Sequence, residues 1–193
     1  MSQLSKLLST LALDATLESK LDAFVTLFVK WNERINLAAS KSREEIIEHV
    51  RDSLHVVPML RARAQVLDVG SGGGFPVVIA AICLPESSFV ALEPVHKKHA
   101  FLRTAARELS LVNLEARAER IEDHTTRDYD AATSRATMDL EDWFALALTH
   151  VRIGGVVIGF EGQLRDDLPA AVQRLPYALD GKQRALVTLE RLA

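Results

Sequence analysis

The segment Val66-Leu67-Asp68-Val69-Gly70-Ser71-Gly72-Gly73-Gly74-Phe75-Pro76 holds the residues best placed to bind a ligand. An apolar run enters four glycines in five residues, then a proline suited to the first turn of a helix. Glycine lets the backbone turn sharply and lets a ligand approach the main chain. A helix opening at Pro76 would add unpaired N–H groups beside it. Glu93 lies 23 residues past Gly70, at the end of the next apolar run. A carboxylate there can accept hydrogen bonds from both ribose hydroxyls of a nucleoside, whether of NAD or of another cofactor. A dinucleotide site wants a small residue at the sixth position of Gly-x-Gly-x-x-Gly. Counted from Gly70 that position is Phe75, whose ring opposes close strand–helix packing around a pyrophosphate.

The elements that must position these groups are legible in the periodicity. Residues 1–64 read as helical: Leu4, Leu7, Leu8 and Leu11 recur at helical spacing, as do Leu17, Leu21, Phe24, Val25 and Phe28. After a polar break, Ile46, Ile47, Val50 and Leu54 continue the pattern, with Ser42 and Glu45 spaced as a capping box. From Gln65 onward strands alternate with helices. The strands are expected at 65–69, 88–92, 113–117, 130–133 and 155–160, and the helices at 76–84, 96–109 and 140–150. That alternation predicts a parallel sheet with helices on both faces. Over 177–190, two extended runs flank Asp180-Gly181, a hairpin turn signal, so the sheet should finish antiparallel.

Composition excludes several classes. The 193 residues are 48% hydrophobic and 25% charged, a globular balance that argues against disorder. The length suits one domain, 1–193, with 1–64 as a helical cap on an α/β core at 65–193. Cys83 is the single cysteine, so no intrachain disulfide and no Cys-rich zinc site is expected, and a reducing, cytoplasmic setting is the default. The longest apolar run, Val77 to Leu84, falls far short of the roughly 20 residues of a membrane span. The N-terminal leucines alternate with Ser, Lys and Thr, so no signal-peptide core is expected. No metal-ligand spacing and no Ser/His/Asp signature occurs.

The spacing Gly70, Gly72, Gly74 behind Asp68 resembles the first motif of class I S-adenosylmethionine-dependent methyltransferases. Beyond that loop, nearly the whole chain resembles the bacterial small-subunit rRNA methyltransferase G family, also called glucose-inhibited division protein B. The resemblance is carried by Lys30-Trp31-Asn32 with Ile35-Asn36-Leu37, His49-Val50-Arg51-Asp52-Ser53, the glycine loop, and Lys97-Lys98 with Phe101-Leu102-Arg103. It continues through Arg117-Ala118-Glu119, Tyr129-Asp130 and Ser134-Arg135-Ala136. It implies a Rossmann-like, mostly parallel seven-stranded sheet, S-adenosylmethionine as cofactor, and methylation of a guanine N7 in 16S rRNA. It also implies roles. Gly70 and Phe75 would line the cofactor pocket, Ala118 and Glu119 would sit by the adenine, and Arg135 would face cofactor and target base. Asp68, Gly72, Gly74 and Glu93 complete the expected cofactor set. The expected partner is 16S rRNA or the small subunit, met by a monomer without metal or membrane.

Several residues keep two readings. Arg135, at a strand end, could bind the methionyl carboxylate or an RNA phosphate, or simply pair with Asp130 or Asp139. Asn32 with Asn36, and His49 with Asp52, share helix faces and either line a cleft or tie down the cap. Phe75 and Trp143 could stack a flipped base but suit core packing better. The rival functions are a methyltransferase acting on another RNA or a small molecule, and a non-catalytic cofactor-binding module.

Charge is segregated within the net −3. Residues 96–120 carry six basic groups, Lys97 and Lys98 among them, against three acidic; 122–142 carry two against seven. A local patch can bind phosphate despite a negative total. The family's usual Lys-Gly after strand five is here Glu161-Gly162, and its final lysine is Glu190, changes expected to weaken phosphate contacts near the cleft.

Overall fold

The computed structural model describes residues 2–39, 42–135, 138–163 and 168–192. Four helices come first: α1 (Gln3–Thr10), α2 (Leu17–Ile35), α3 (Arg43–Leu54) and α4 (Val57–Leu60). On α2 the residues Leu21, Phe24, Val25 and Phe28 form one buried stripe, each worth about 1.5–3 kcal/mol against exposure. The helix stops at Asn36, which takes a left-handed conformation (φ 54°) and returns its N–H to the Asn32 carbonyl. At the head of α3 the Ser42–Glu45 capping box is present in both directions.

The rest alternates strand and helix: β1 (Gln65–Val69), α5 (Val77–Cys83), β2 (Ser88–Leu92), α6 (His96–Glu108), β3 (Leu114–Arg117), a 3-10 turn (Ile121–Asp123), β4 (Tyr129–Ser134), α7 (Leu140–Ala147) and β5 (Val151–Glu161). The hairpin β6 (Gln173–Leu179) and β7 (Lys182–Glu190) closes the chain. The seven strands form one sheet in the order β3-β2-β1-β4-β5-β7-β6, parallel through β5 and antiparallel at β7 and β6. Strand order reverses between β1 and β4, which opens a crevice at their carboxyl ends.

Two strands run longer than their local pattern predicts. β5 starts at Val151 because the register shifts between Tyr129 and Ala131, absorbing Gly154 (φ 75°) in a bulge. β6 starts at Gln173 and passes through Pro176, which an edge strand tolerates. The expected turn is in place, with Asp180 (φ 48°) and Gly181 (φ 77°) joining Leu179 to Lys182.

Alternate sheet residues feed two cores. Val66, Phe89, Ala91, Ala131 and Ile158 pack with the cap and with α5 and α6. Leu67, Val69, Leu92, Ala132 and Val157 pack with Trp143, Phe144 and Ala147 of α7. Cap and sheet therefore share one hydrophobic core, so the helices of the first third are held rigidly over the crevice. No helix among the described residues is long and apolar enough to cross a membrane.

Candidate active site

A cleft of about 560 Å³ lies over the carboxyl ends of β1 and β4, walled by Gly70–Gly73, Phe75, Glu93 and Arg135, with His49, Asp52 and the Leu37–Ala38 turn from the cap. A larger cavity, about 1000 Å³, sits among α1, α2 and α3 and contains none of the glycine loop. Its carboxylates Asp22 and Asp180 are paired to Arg43 and Arg51. The smaller cleft is the one where chemistry-bearing groups converge.

The loop holds itself in shape. Gly70, Gly72 and Gly74 all have positive φ (66°, 53° and 88°), a conformation that strains other residues. The N–H groups of Gly70 and Ser71 both donate to the Leu92 carbonyl (2.9 and 3.1 Å), and that of Gly74 to Ser71 (2.7 Å). Gly72 N–H donates to Glu93 Oε2 (2.8 Å), while Glu93 Oε1 accepts from Val95 N–H (2.8 Å). With these donors already engaged, a pyrophosphate would find few in the loop, a second reason beside Phe75 to set aside a dinucleotide. The expected donors at the start of α5 do not serve the cleft either: Val78 and Ala80 give their N–H groups to Gly74 and Pro76. Gly73 and Gly74 answer to packing. A Cβ on Gly73 would stand 2.5 Å from the Phe28 ring, and one on Gly74 2.5 Å from Val78 Cγ2. Gly74 thus shapes the loop from behind and does not line the cleft.

Asp68 lies beneath the loop, 1% exposed. Its Oδ1 accepts from the Thr133 hydroxyl (2.7 Å), and its Oδ2 is buried without a partner. Burial pushes its carboxyl up to about 6, against the pull of hydrogen bonds and of Arg135.

Asp52 is the hub of the opposite wall. Its Oδ2 accepts from Arg135 Nη1 (3.1 Å), and its Oδ1 from the Tyr177 hydroxyl (2.8 Å) and Arg184 Nη1 (2.9 Å). Arg184 also bonds Glu48, one turn earlier on the same face of α3 (3.0 Å). The acceptor for Arg135 is therefore a cap residue and not nearby Asp130, which takes the N–H groups of Ala64 and Gln65 and pairs with Arg152. Asp139 serves as the N-cap of α7. The Arg135 guanidinium also stands 5.1 Å over the Phe75 ring, a cation–π contact. His49 packs on the same ring (5.5 Å between centroids), and burial, then Arg135, lowers its pKa, so it is neutral at pH 7.

The two polar helix-face pairs thus divide. His49 and Asp52 enter the cleft. Asn32 and Asn36 do not: Asn32 Oδ1 accepts from Ala38 N–H (3.0 Å), and Asn36 ends α2, exposed. Asn32 helps set the turn that brings Leu37 and Ala38 to the cleft wall. Lys98 lines the cleft and Lys97 is exposed beside it. Ala118 and Glu119 follow β3 on the sheet edge next to Glu93, whose N–H bonds the Arg117 carbonyl (3.0 Å). Glu119 is held by His124 (2.6 Å), whose other ring nitrogen meets the Tyr129 hydroxyl (2.9 Å). Neither ring singled out for stacking stands free. Trp143 is buried on the far face with Nε1–H bonded to the Ile158 carbonyl (3.0 Å), and Phe75 is wedged against Phe24 and Phe28.

Contrary to expectation, neither glutamate in place of lysine sets an uncompensated carboxylate beside the cleft. Glu161 is buried and receives a bidentate pair from Arg174 (2.7 and 2.9 Å), so its charge is neutralised by β6. Glu190 pairs in register with Val156, at the opposite end of the strands from the cleft. Tyr177 and Arg184 carried no local signal of a role; only the hairpin's return across the cap brings them to Asp52. Among the described residues no group of three or more His, Cys, Asp or Glu could hold a metal ion.

A family model described as rRNA small subunit methyltransferase G matches residues 17–191. The protein named Ribosomal RNA small subunit methyltransferase G in Bordetella avium is 40% identical over 174 residues, covering 84% of this chain and 78% of that one. Its namesake in Syntrophotalea carbinolica is 35% identical over 182 residues, covering 84% of each. Among solved structures, the O-methyltransferase TomG from Streptomyces achromogenes in complex with SAM superposes with a TM-score of 0.61 at 17% identity, over 86% of this chain and 89% of that one. Cofactor-bound Rv0187 from MTB gives 0.63 at 17% identity, over 91% of each. At such identities these two structures speak for the fold alone.

Proposed function

This chain belongs to the rRNA small subunit methyltransferase G family, and from that premise we propose that it methylates N7 of a guanine in 16S rRNA with S-adenosylmethionine. The observation that carries the cofactor reading lies behind the cleft lining, where a buried carboxylate with an unpartnered oxygen, Asp68, stands two residues before Gly70 and within the field of Arg135. A ligand whose one end bears both an ammonium and a carboxylate matches that pair, Asp68 toward the cation and Arg135 toward the anion. Glu93 keeps lone pairs for ribose hydroxyls beyond the two N–H groups it accepts, and Ala118 and Glu119 stand one strand over for the adenine. When bound, S-adenosylmethionine supplies an electrophilic methyl group.

Guanine N7 has a free lone pair and no proton to lose, so the protein needs no general base. A neutral His49 and a salt-bridged Asp52 suit that requirement. The contribution of the chain is alignment, which can supply about 7–11 kcal/mol. The relatives' names support 16S rRNA or the small subunit as partner. A single-domain monomer working in the cytoplasm completes the proposal.

The test is to incubate the protein with labelled S-adenosylmethionine and small subunits, or 16S rRNA, from cells lacking the modification. Nuclease digestion and mass spectrometry should then find one 7-methylguanosine. Label on another nucleobase or on small molecules alone, or no transfer at all, overturns the assignment.

The Asp68 carboxyl also makes binding depend on pH. Only its ionised form attracts the ligand ammonium, so with a pKa of about 6 the cofactor Kd should weaken about 10-fold from pH 7 to pH 5. Asp68→Asn should bind weakly with a flat profile, and calorimetry across pH checks both. Stability of the ligand-free protein runs the other way. The native carboxyl binds its proton more tightly than the ordinary 3.8 allows, so that stabilisation is full below pH 3.8 and is lost by pH 6. The loss is about 3 kcal/mol.

A further inference from the structure

Outside the cleft, α2 and α6 face each other across a hollow of about 400 Å³ bordered by Lys30, Trp31 and Arg34 on one side and Thr104, Arg107 and Glu108 on the other. A second hollow of about 300 Å³ on α6, among Ala100, Arg103, Thr104 and Arg107, adjoins it at Thr104 and Arg107. Lys30 with Arg34, and Arg103 with Arg107, stand at i, i+4, so each pair lies on one helix face. All four cations are exposed, and among the described residues that border the groove the one carboxylate, Glu108, is bound to Arg107 (2.9 Å). We infer that this groove binds the sugar–phosphate backbone of the RNA strand whose guanine enters the cleft.

Three observations support the inference, which rests on the rRNA reading above. First, a solvated helix face normally balances its charge with the opposite sign nearby. Here the facing helix brings two further cations, and Glu108, paired to Arg107, offsets one of the four, so the groove keeps a positive balance that an anion would relieve. It does so in a chain whose total charge is −3. Second, both helices run from the groove into the cleft. α2 leads to Leu37 and Ala38, and α6 leads back from Thr104 to Lys98, about 9 Å at 1.5 Å per residue. Lys98 and Thr104 stand about 120° apart around α6, so the route from cleft to groove runs past the end of α2 at Leu37 and Ala38 and around α6. Third, the floor is firm: Trp31 packs on Phe101 at 5.7 Å between centroids, and α2 and α6 are joined to one core. The backbone positions that carry the cations are therefore held at a fixed spacing.

The probe is a fluorescent 16S rRNA fragment containing the target guanine, with binding measured by anisotropy against salt and without methyl transfer. Two doubles remove charge from one wall at a time, Lys30→Gln/Arg34→Gln on α2 and Arg103→Gln/Arg107→Gln on α6. Each should lower the slope of log K against log salt by about 1.4, as expected for two phosphate contacts to a single strand. Each should also raise KM for RNA at least tenfold. The kcat at saturating RNA, the cofactor Kd and the melting temperature should stay as in the parent, and Lys6→Gln on α1 should change nothing. Parent-like slopes in the α2 double overturn the groove, since α6 alone would then account for any effect. RNA binding of parental affinity in both doubles, or no binding by the parent, overturns it too. Failure of the parent to form 7-methylguanosine would show separately and would count against the assigned reaction.

Discussion

Arg135→Ala should lower methyl transfer at least about 100-fold while leaving the fold intact, the scale of loss that follows when a reacting group is misplaced by about 1 Å. Arg135 lies at the carboxyl end of β4, over the Phe75 ring and against Asp52, so its guanidinium is aimed before any ligand arrives. Deleting it removes the cation expected to meet the methionyl carboxylate. The same deletion spares stability. Asp52 keeps two of its three donors, Tyr177 and Arg184, and the Arg135 side chain is 17% exposed, so water can replace it. Arg135→Lys should recover little, because a point charge cannot span two acceptors as the planar fork does. Single-turnover rates with a parent-like melting temperature check the result. Full activity in the alanine variant would end the assignment of Arg135 to the reaction.

Asp52→Ala should be the costliest substitution for the fold. The carboxylate is 5% exposed and joins α3, the end of β4 and both strands of the hairpin. Its removal leaves Arg135, Arg184 and the Tyr177 hydroxyl facing a void. Breaking a buried pair costs about 3–5 kcal/mol when the remaining charges stay uncompensated. Here Arg135 and Arg184, 17% and 20% exposed, are only partly rehydrated. Arg184 retains Glu48, which places the expected loss toward the lower figure. For a chain of this size a loss of about 3 kcal/mol lowers the melting temperature by roughly 6–12 °C. Asp52→Asn, which keeps the volume and one acceptor oxygen, should lose less stability yet still release Arg135. Urea titration separates the two variants. A change within about 1 kcal/mol for Asp52→Ala would show that the hub is not what ties cap, sheet and hairpin together.

Both expectations rest on contacts that no stretch of sequence displays. The motif His49-Val50-Arg51-Asp52-Ser53 is readable as a helix face, and its two readings, cleft lining or cap anchor, are both true of Asp52. It borders the cleft and it anchors the cap, because one carboxylate has lone pairs enough for three donors. Asn32 and Asn36 are seen as anchors, since α2 ends where Asn36 turns left-handed, Asn32 holds the turn at Ala38, and neither lines the cleft. Glu161 shows the same limit from the other side. Read alone it is a carboxylate where a cation is usual. In the fold it is one half of a bidentate pair with Arg174, and Glu190 stands at the far end of its strand.

What the sequence by itself determined is everything governed by near neighbours. The helical stripes of α2 and α3, the capping box at Ser42, the strand–helix alternation from Gln65, the Asp180-Gly181 turn and the glycine loop all depend on residues within a few positions of each other. Their physics is propensity, periodicity and backbone conformation. Tertiary structure alone decided which polar groups meet. Asp52 finds Arg135, Tyr177 and Arg184 across 83, 125 and 132 residues, and Asp68 is left with one buried oxygen unpartnered. Such pairings depend on the strand order that folds β4 beside β1 and returns β6 and β7 over the cap. A charged side chain carries no local mark of the partner that desolvation will oblige it to find.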